Sequence, residues 1–125
     1  MFIIDIMSRT PVYEQIINEV ENYILTGVMK PGDKMPSVRS VSVSCSVNPN
    51  TIQKAYTELD RKGLIVSVPG KGSFISDNAK EILGVNSRQK LESMKELLEE
   101  LKLAGVSQEE VIELVKEVYG KEVAK

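Results

Sequence analysis

At 125 residues, with 42% hydrophobic and 27% charged content, the chain fits a folded protein of one domain plus a small appendage rather than a disordered one, and no apolar run approaches the roughly 18 residues that span a membrane. Histidine is absent and Cys45 is the single cysteine, which removes the usual general base, the commonest metal ligand and any multi-cysteine site; an enzyme, a metal and a cofactor are therefore not expected. The net charge of −2 hides a gradient of −3 over residues 1–27, +4 over 28–76 and −3 over 77–125, so only the middle third offers the local positive surface that phosphate binding needs.

The opening Met1-Phe2-Ile3-Ile4-Asp5-Ile6 lacks the basic region and longer apolar core of a signal peptide, which predicts a cytoplasmic protein with no membrane partner. A helix is predicted over 11–26. Thr10 is placed to cap it, Pro11 suits a first helical position, and Tyr13, Ile16, Ile17, Val20 and Ile24 recur on one face. Gly27 ends it. Residues 29–36 form a turn-rich connection in which Pro31-Gly32 favours a type II turn. Ser37 can cap a second helix through 45. Yet Val41, Val43, Cys45 and Val47 alternate with serines at the period of a strand, and periodicity alone leaves that segment open.

The third helix is better marked. Asn48 is a strong N-cap, Pro49 suits the first helical position, Ile52, Ala55, Tyr56 and Leu59 recur at helical spacing, and Gly63 stops it. Residues 64–68 and 73–76, joined by Pro69-Gly70-Lys71-Gly72, read as a hairpin. From about 79 to 103 the chain is helical, with Leu91, Met94, Leu97, Leu98 and Leu101 in one stripe. Gly105 breaks that helix. Ser107 with Glu110 is a capping box for a last helix to about Tyr119, with Val111, Leu114, Val115 and Val118 on one face.

A helix, a sharp turn, a capped second helix and a hairpin together form a set that can present one helix to the major groove. At about 100° per residue, Asn50, Thr51, Gln53, Lys54 and Thr57 lie opposite the apolar sector of the third helix. Asn and Gln pair bidentately with adenine, and Lys suits phosphates or guanine edges. Arg39 and the N–H groups after Ser37 are candidates for a second phosphate, and Lys71 between Gly70 and Gly72 for the adjacent backbone or minor groove. Each residue also has a plainer role: Asn48 caps its helix, and the others are ordinarily solvated. Gly70-Lys71-Gly72-Ser73 is not a nucleotide-binding loop, because the earlier glycine of that motif would fall at Ile65.

The chain resembles the GntR family of bacterial transcription regulators. The match runs over about 11–75: Pro11-Val12-Tyr13-Glu14-Gln15-Ile16, Pro31-Gly32-Asp33-Lys34-Met35-Pro36-Ser37-Val38-Arg39, Val47-Asn48-Pro49-Asn50-Thr51-Ile52-Gln53-Lys54-Ala55-Tyr56, Gly63-Leu64-Ile65 and Gly70-Lys71-Gly72-Ser73-Phe74-Ile75. The short remainder resembles the YtrA subfamily, whose C-terminal part is a pair of dimerising helices. The resemblance implies a mainly α fold with a small β-hairpin: a winged helix-turn-helix DNA-binding domain over 1–77 and a two-helix dimerisation and effector region over 78–125. It implies a helix over 37–45, against the alternation there. It also implies that Arg39 contacts phosphate, that Asn48 to Lys54 enter the major groove, and that Gly70-Lys71-Gly72 is the wing tip. Val41, Ser42 and Cys45 depart from the more usual leucine, alanine and leucine, which predicts looser packing of that helix.

Two helices with apolar faces cannot bury both faces alone, so a homodimer is expected. Its interface is assigned to Leu91, Met94, Leu97, Leu98, Leu101, Val111, Leu114, Val115 and Val118. A twofold dimer would bind a double-stranded inverted-repeat operator and act as a repressor by occupancy. The subfamily resemblance implies targets near transporter genes, and an unknown small-molecule effector would bind between domains or at the dimer interface. Two other readings compete: a helical protein-interaction module without specific DNA readout, and a small phosphate-handling enzyme built on the Gly70-Lys71-Gly72 turn.

Overall fold

Apolar residues at helical spacing, interrupted by glycine and capping residues, divide the chain into α1 (Val12–Leu25), α2 (Val38–Cys45), α3 (Pro49–Arg61), β1 (Ile65–Val68), β2 (Gly72–Ile75), α4 (Ala79–Leu103) and α5 (Gln108–Tyr119). This computed structural model describes residues 2–120; Met1 and residues 121–125 of the expected C-terminal region lie outside the described residues. Contacts divide the chain into one unit up to Leu83 and a second from Gly84.

In the first unit, α1 buries Ile16, Ile17, Val20 and Ile24, as its spacing predicts. Its start differs from expectation. Pro11 (φ −54°, ψ 147°) is the cap and not the first helical residue, and no side chain caps the helix. The extended ψ of Pro11 delays the helical turn by one residue, so its carbonyl accepts the first helical bond, from the Gln15 amide at 3.1 Å. Thr10 contributes its carbonyl instead, accepting from Gln15 Nε2 at 2.8 Å.

The segment over 37–45 is helical, against its alternating pattern. Ser37 Oγ accepts from the Ser40 amide at 3.0 Å, and only Val41 is buried among the helix's residues, while Val43 is 73% exposed. Val38, Val41 and Cys45 share the inner face, so the core sees a helical repeat and the serines mask it. The turn into α3 rests on Ser46, which is left-handed at φ 54° although it is not glycine. Around it the Val47 amide donates to the Ser42 carbonyl at 3.1 Å, and Ser42 Oγ donates to the Val47 carbonyl at 2.6 Å.

α3 starts as expected: Asn48 Oδ1 accepts from the Asn50 amide at 2.8 Å and Pro49 occupies the first turn. Ile52, Ala55, Tyr56 and Leu59 are its buried face. β1 and β2 pair antiparallel, with Ile65 opposite Ile75, Ser67 opposite Ser73 and Val68 opposite Gly72.

A feature without a sequence signal is the pairing of the 32–35 segment with β2. The Gly32 amide donates to the Ile75 carbonyl, the Ile75 amide to the Asp33 carbonyl and the Met35 amide to the Ser73 carbonyl, all at 2.8 Å. The turn-rich connection thus extends the hairpin by a third short edge. The N-terminal segment is a second such feature. It lies along α1, with the Asp5 amide donating to Gln15 Oε1 at 2.9 Å and Phe2 buried against Tyr23.

Ala79 and Leu83, in the first turns of α4, belong to the core of the first unit, although the expected domain boundary lies at 77/78. In the second unit, α4 ends with the Val106 amide donating to the Leu101 carbonyl at 3.0 Å across Gly105. Ser107 Oγ then caps α5 through the Glu110 amide at 3.2 Å. No residue of α5 is buried.

Candidate nucleic-acid interface

The buried stripe of α3 fixes which of its residues face out. Asn48, Pro49, Asn50, Gln53, Lys54 and Thr57 are exposed and Thr51 is half-buried. They are not equivalent. Asn48 spends its side-chain oxygen on the cap. Gln53 Nε2 donates to Thr57 Oγ1 at 3.2 Å, one turn on. Gln53 and Thr57 line a groove between α3 and the hairpin, together with Asp60, Arg61, Ser67 and Ser73. Lys54 lies on the other flank, towards α1, in a cleft with Tyr13, Glu14 and Glu58. Its Nζ sits 3.9 Å from the centroid of the Tyr13 ring.

The hairpin is tied to α3 by Ser67 Oγ, which donates to Asp60 Oδ2 at 2.8 Å. Its tip is a turn closed by the Lys71 amide donating to the Val68 carbonyl at 3.0 Å, with Gly70 at φ 77°. Such a positive φ follows naturally from Pro69-Gly70 in the central positions. Gly70, Lys71 and Gly72 are all exposed. Ser37 and Arg39 are exposed at the start of α2.

Lys34 carries no signal of a DNA-binding role in the sequence. It bridges Phe74 of β2, and its Cε packs so close to Gly72 that a Cβ there would lie 3.1 Å away. A second ammonium therefore stands beside the wing tip. The Gly72-Ser73-Phe74 run and Lys34 are far apart in sequence, and only the edge pairing joins them.

The positive middle third is also less available than its charge count implies. Arg61 Nε donates to both carboxylate oxygens of Glu58 at 3.1 Å, and this pairing holds the Glu58 carboxyl below, and the Arg61 guanidinium above, their ordinary ranges. Lys62 pairs with Glu21 at 3.2 Å. Among the described ion pairs none uses Lys34, Arg39 or Lys71. Behind the face, the Tyr56 hydroxyl donates to the Pro36 carbonyl at 2.6 Å, and burial pushes its pKa well up. That bond ties α3 to the start of α2.

In the second unit, Leu91, Met94, Leu97, Leu98, Leu114, Val115 and Val118 are exposed, and Leu101 and Val111 are half-buried. Leu98, Leu101, Val106 and Val111 line an apolar groove where the two helices meet. Ile112, exposed on α5, is a further apolar residue outside the predicted stripe. Among the described residues no cluster of His, Cys, Asp or Glu is placed to hold a metal ion, and no helix is long and apolar enough to cross a membrane.

The chain is similar to known proteins over most of its length. Residues 12–75 match the family model described as bacterial regulatory proteins, gntR family. The HTH-type transcriptional repressor YtrA of Bacillus subtilis (strain 168) is 44% identical over 119 residues, which cover 94% of this chain and 92% of that protein. A crystal structure of a transcriptional regulator from Oenococcus oeni superposes with a TM-score of 0.72 at 32% identity, covering 95% of this chain and 99% of that one. AraR(DBD) in complex with operator ORX1 superposes with a TM-score of 0.53 at 30% identity, covering 59% of this chain and 92% of that one.

Proposed function

The chain belongs to the gntR family of bacterial regulatory proteins, and from that premise we propose that it is a homodimeric, cytoplasmic repressor that binds an inverted-repeat operator. The observation that carries this reading is the division of α3. Its buried face anchors the helix in the core, while Asn50, Gln53, Lys54 and Thr57 stand exposed beside a wing bearing Lys71 and Lys34. Amide side chains suit base edges in the major groove, and the ammonium and guanidinium groups suit phosphates. In this reading Asn50, Thr51 and Gln53 read bases. Ser37, Arg39, Gly70, Lys71 and Gly72 hold the backbone, and Asn48 and Pro49 set the start of the helix.

Repression is supported by the relative in Bacillus subtilis, a transcriptional repressor similar over nearly its whole length. The apolar faces of α4 and α5 support the dimer, because most residues of each stripe are exposed. The YtrA-like resemblance points to transporter genes as targets, and a small-molecule effector would bind at the dimer interface.

Selection of genomic fragments by the purified protein tests the proposal. One enriched inverted repeat, with half-sites spaced by whole helical turns, is the expected result. Retention of all fragments alike at moderate salt would overturn specific readout and leave the C-terminal helices as the functional part.

A further inference from the structure

We propose that Tyr13 is a positioning residue for DNA binding: its ring holds the Lys54 ammonium on the α1 flank of α3, where it meets the phosphate backbone rather than a base edge. This inference rests on the DNA-binding reading above. Three observations carry it. Lys54 Nζ lies 3.9 Å from the Tyr13 ring centroid, within cation–π range. Gln53 and Thr57 line the groove on the wing side of α3, whereas Lys54 lines the cleft on the α1 side, so the base-reading candidate Gln53 and Lys54 point to different flanks. The Tyr13 hydroxyl in turn donates to Glu14 Oε1 at 3.2 Å, which orients the ring from its own helix.

The chemistry fits a phosphate. A side chain that reads a base must reach into the groove floor, and an ammonium drawn sideways onto an aromatic face is withdrawn from that direction. Lys54 remains exposed, and a phosphate oxygen can share its ammonium with the ring. Holding a flexible lysine near its contact position also reduces the rotamer entropy lost on binding. Glu14 and Glu58 line the same cleft, so without the ring the lysine would have two carboxylates to turn towards.

The test uses the full-length protein with two probes, a mixed-sequence duplex and a fragment enriched by selection, over a range of salt concentrations. Lys54→Gln is expected to weaken both by the same factor and to reduce the magnitude of the salt slope by about 0.9, the value for one phosphate. Tyr13→Phe keeps the ring and loses only the hydroxyl's bond to Glu14, so it is expected to weaken binding less than Tyr13→Leu does. Tyr13→Leu is expected to weaken both probes roughly two- to fivefold, and to add nothing once Lys54→Gln is present.

Selective loss on the enriched fragment in Lys54→Gln would make Lys54 a base reader and overturn the proposal. Equal losses from Tyr13→Leu with and without Lys54→Gln would show that Tyr13 acts through something else. Tighter binding by Tyr13→Leu would show that the ring sequesters the lysine. If the parent protein binds neither probe, the DNA-binding reading itself fails. Thermal unfolding of each variant separates these outcomes from loss of fold.

Discussion

Ser46 carries the turn between α2 and α3. It adopts φ 54°, a conformation that costs a residue with a Cβ on the order of 1 kcal/mol. The cost is met because the bonds between Ser42 and Val47 close both ends of the turn. Ser46→Gly removes the Cβ without touching those bonds. It is expected to stabilise the domain by up to about 1 kcal/mol, read as a higher denaturant midpoint at unchanged slope.

Tyr56 is the second residue whose role is local in chemistry and long-range in effect. Its hydroxyl satisfies the Pro36 carbonyl inside the junction between α2 and α3, and burial raises its pKa above the ordinary 10.0. The unfolded phenol ionises first, so stability is complete below about pH 10 and declines as pH rises above it. Tyr56→Phe is expected to cost about 1–2 kcal/mol at neutral pH, because the carbonyl is left unpaired. It should also flatten the alkaline decline, which unfolding measured from pH 8 to 11 would detect.

At the scale of elements, the wing is more than the hairpin formed by β1 and β2. The 32–35 segment adds a third edge, and with it Lys34 arrives beside Gly72. Lys34→Ala is expected to weaken every duplex alike and to reduce the magnitude of the salt slope by about one phosphate, as Lys71→Ala should. Equilibrium binding on specific and mixed-sequence DNA distinguishes this from loss of readout. A Lys34 variant with an unchanged salt slope would remove it from the interface.

At the scale of the whole molecule, the two units solve the burial problem differently. The first encloses its own core from Phe2 to Leu83. The second buries none of the residues on α5, and Leu98 and Leu101 line a groove open to solvent. Leu98→Glu/Leu101→Glu is expected to convert a dimer to a monomer in sedimentation, while the N-terminal unit keeps its helical signal. Operator affinity should then fall to that of a single half-site. Sedimentation of the double variant as an unchanged dimer would remove these residues from the interface.

Features with local causes are legible in the amino-acid sequence. Asn48 and Ser107 announce α3 and α5 because a capping side chain reaches only two or three residues. The buried face of α3 is legible because burial repeats with the helical turn. The α2 segment was not legible from periodicity, since serines between valines mimic a strand; the family resemblance supplied what the pattern withheld. Apart from the Arg61–Glu58 pair, which lies within one turn of α3, the meeting of separate elements decides which charges are left for a ligand. Arg61 and Lys62 are drawn to Glu58 and Glu21, Lys54 to Tyr13, and Lys34 to the wing. Most of these partners lie on separate elements, and a meeting between distant segments leaves no period in the chain that brings them together.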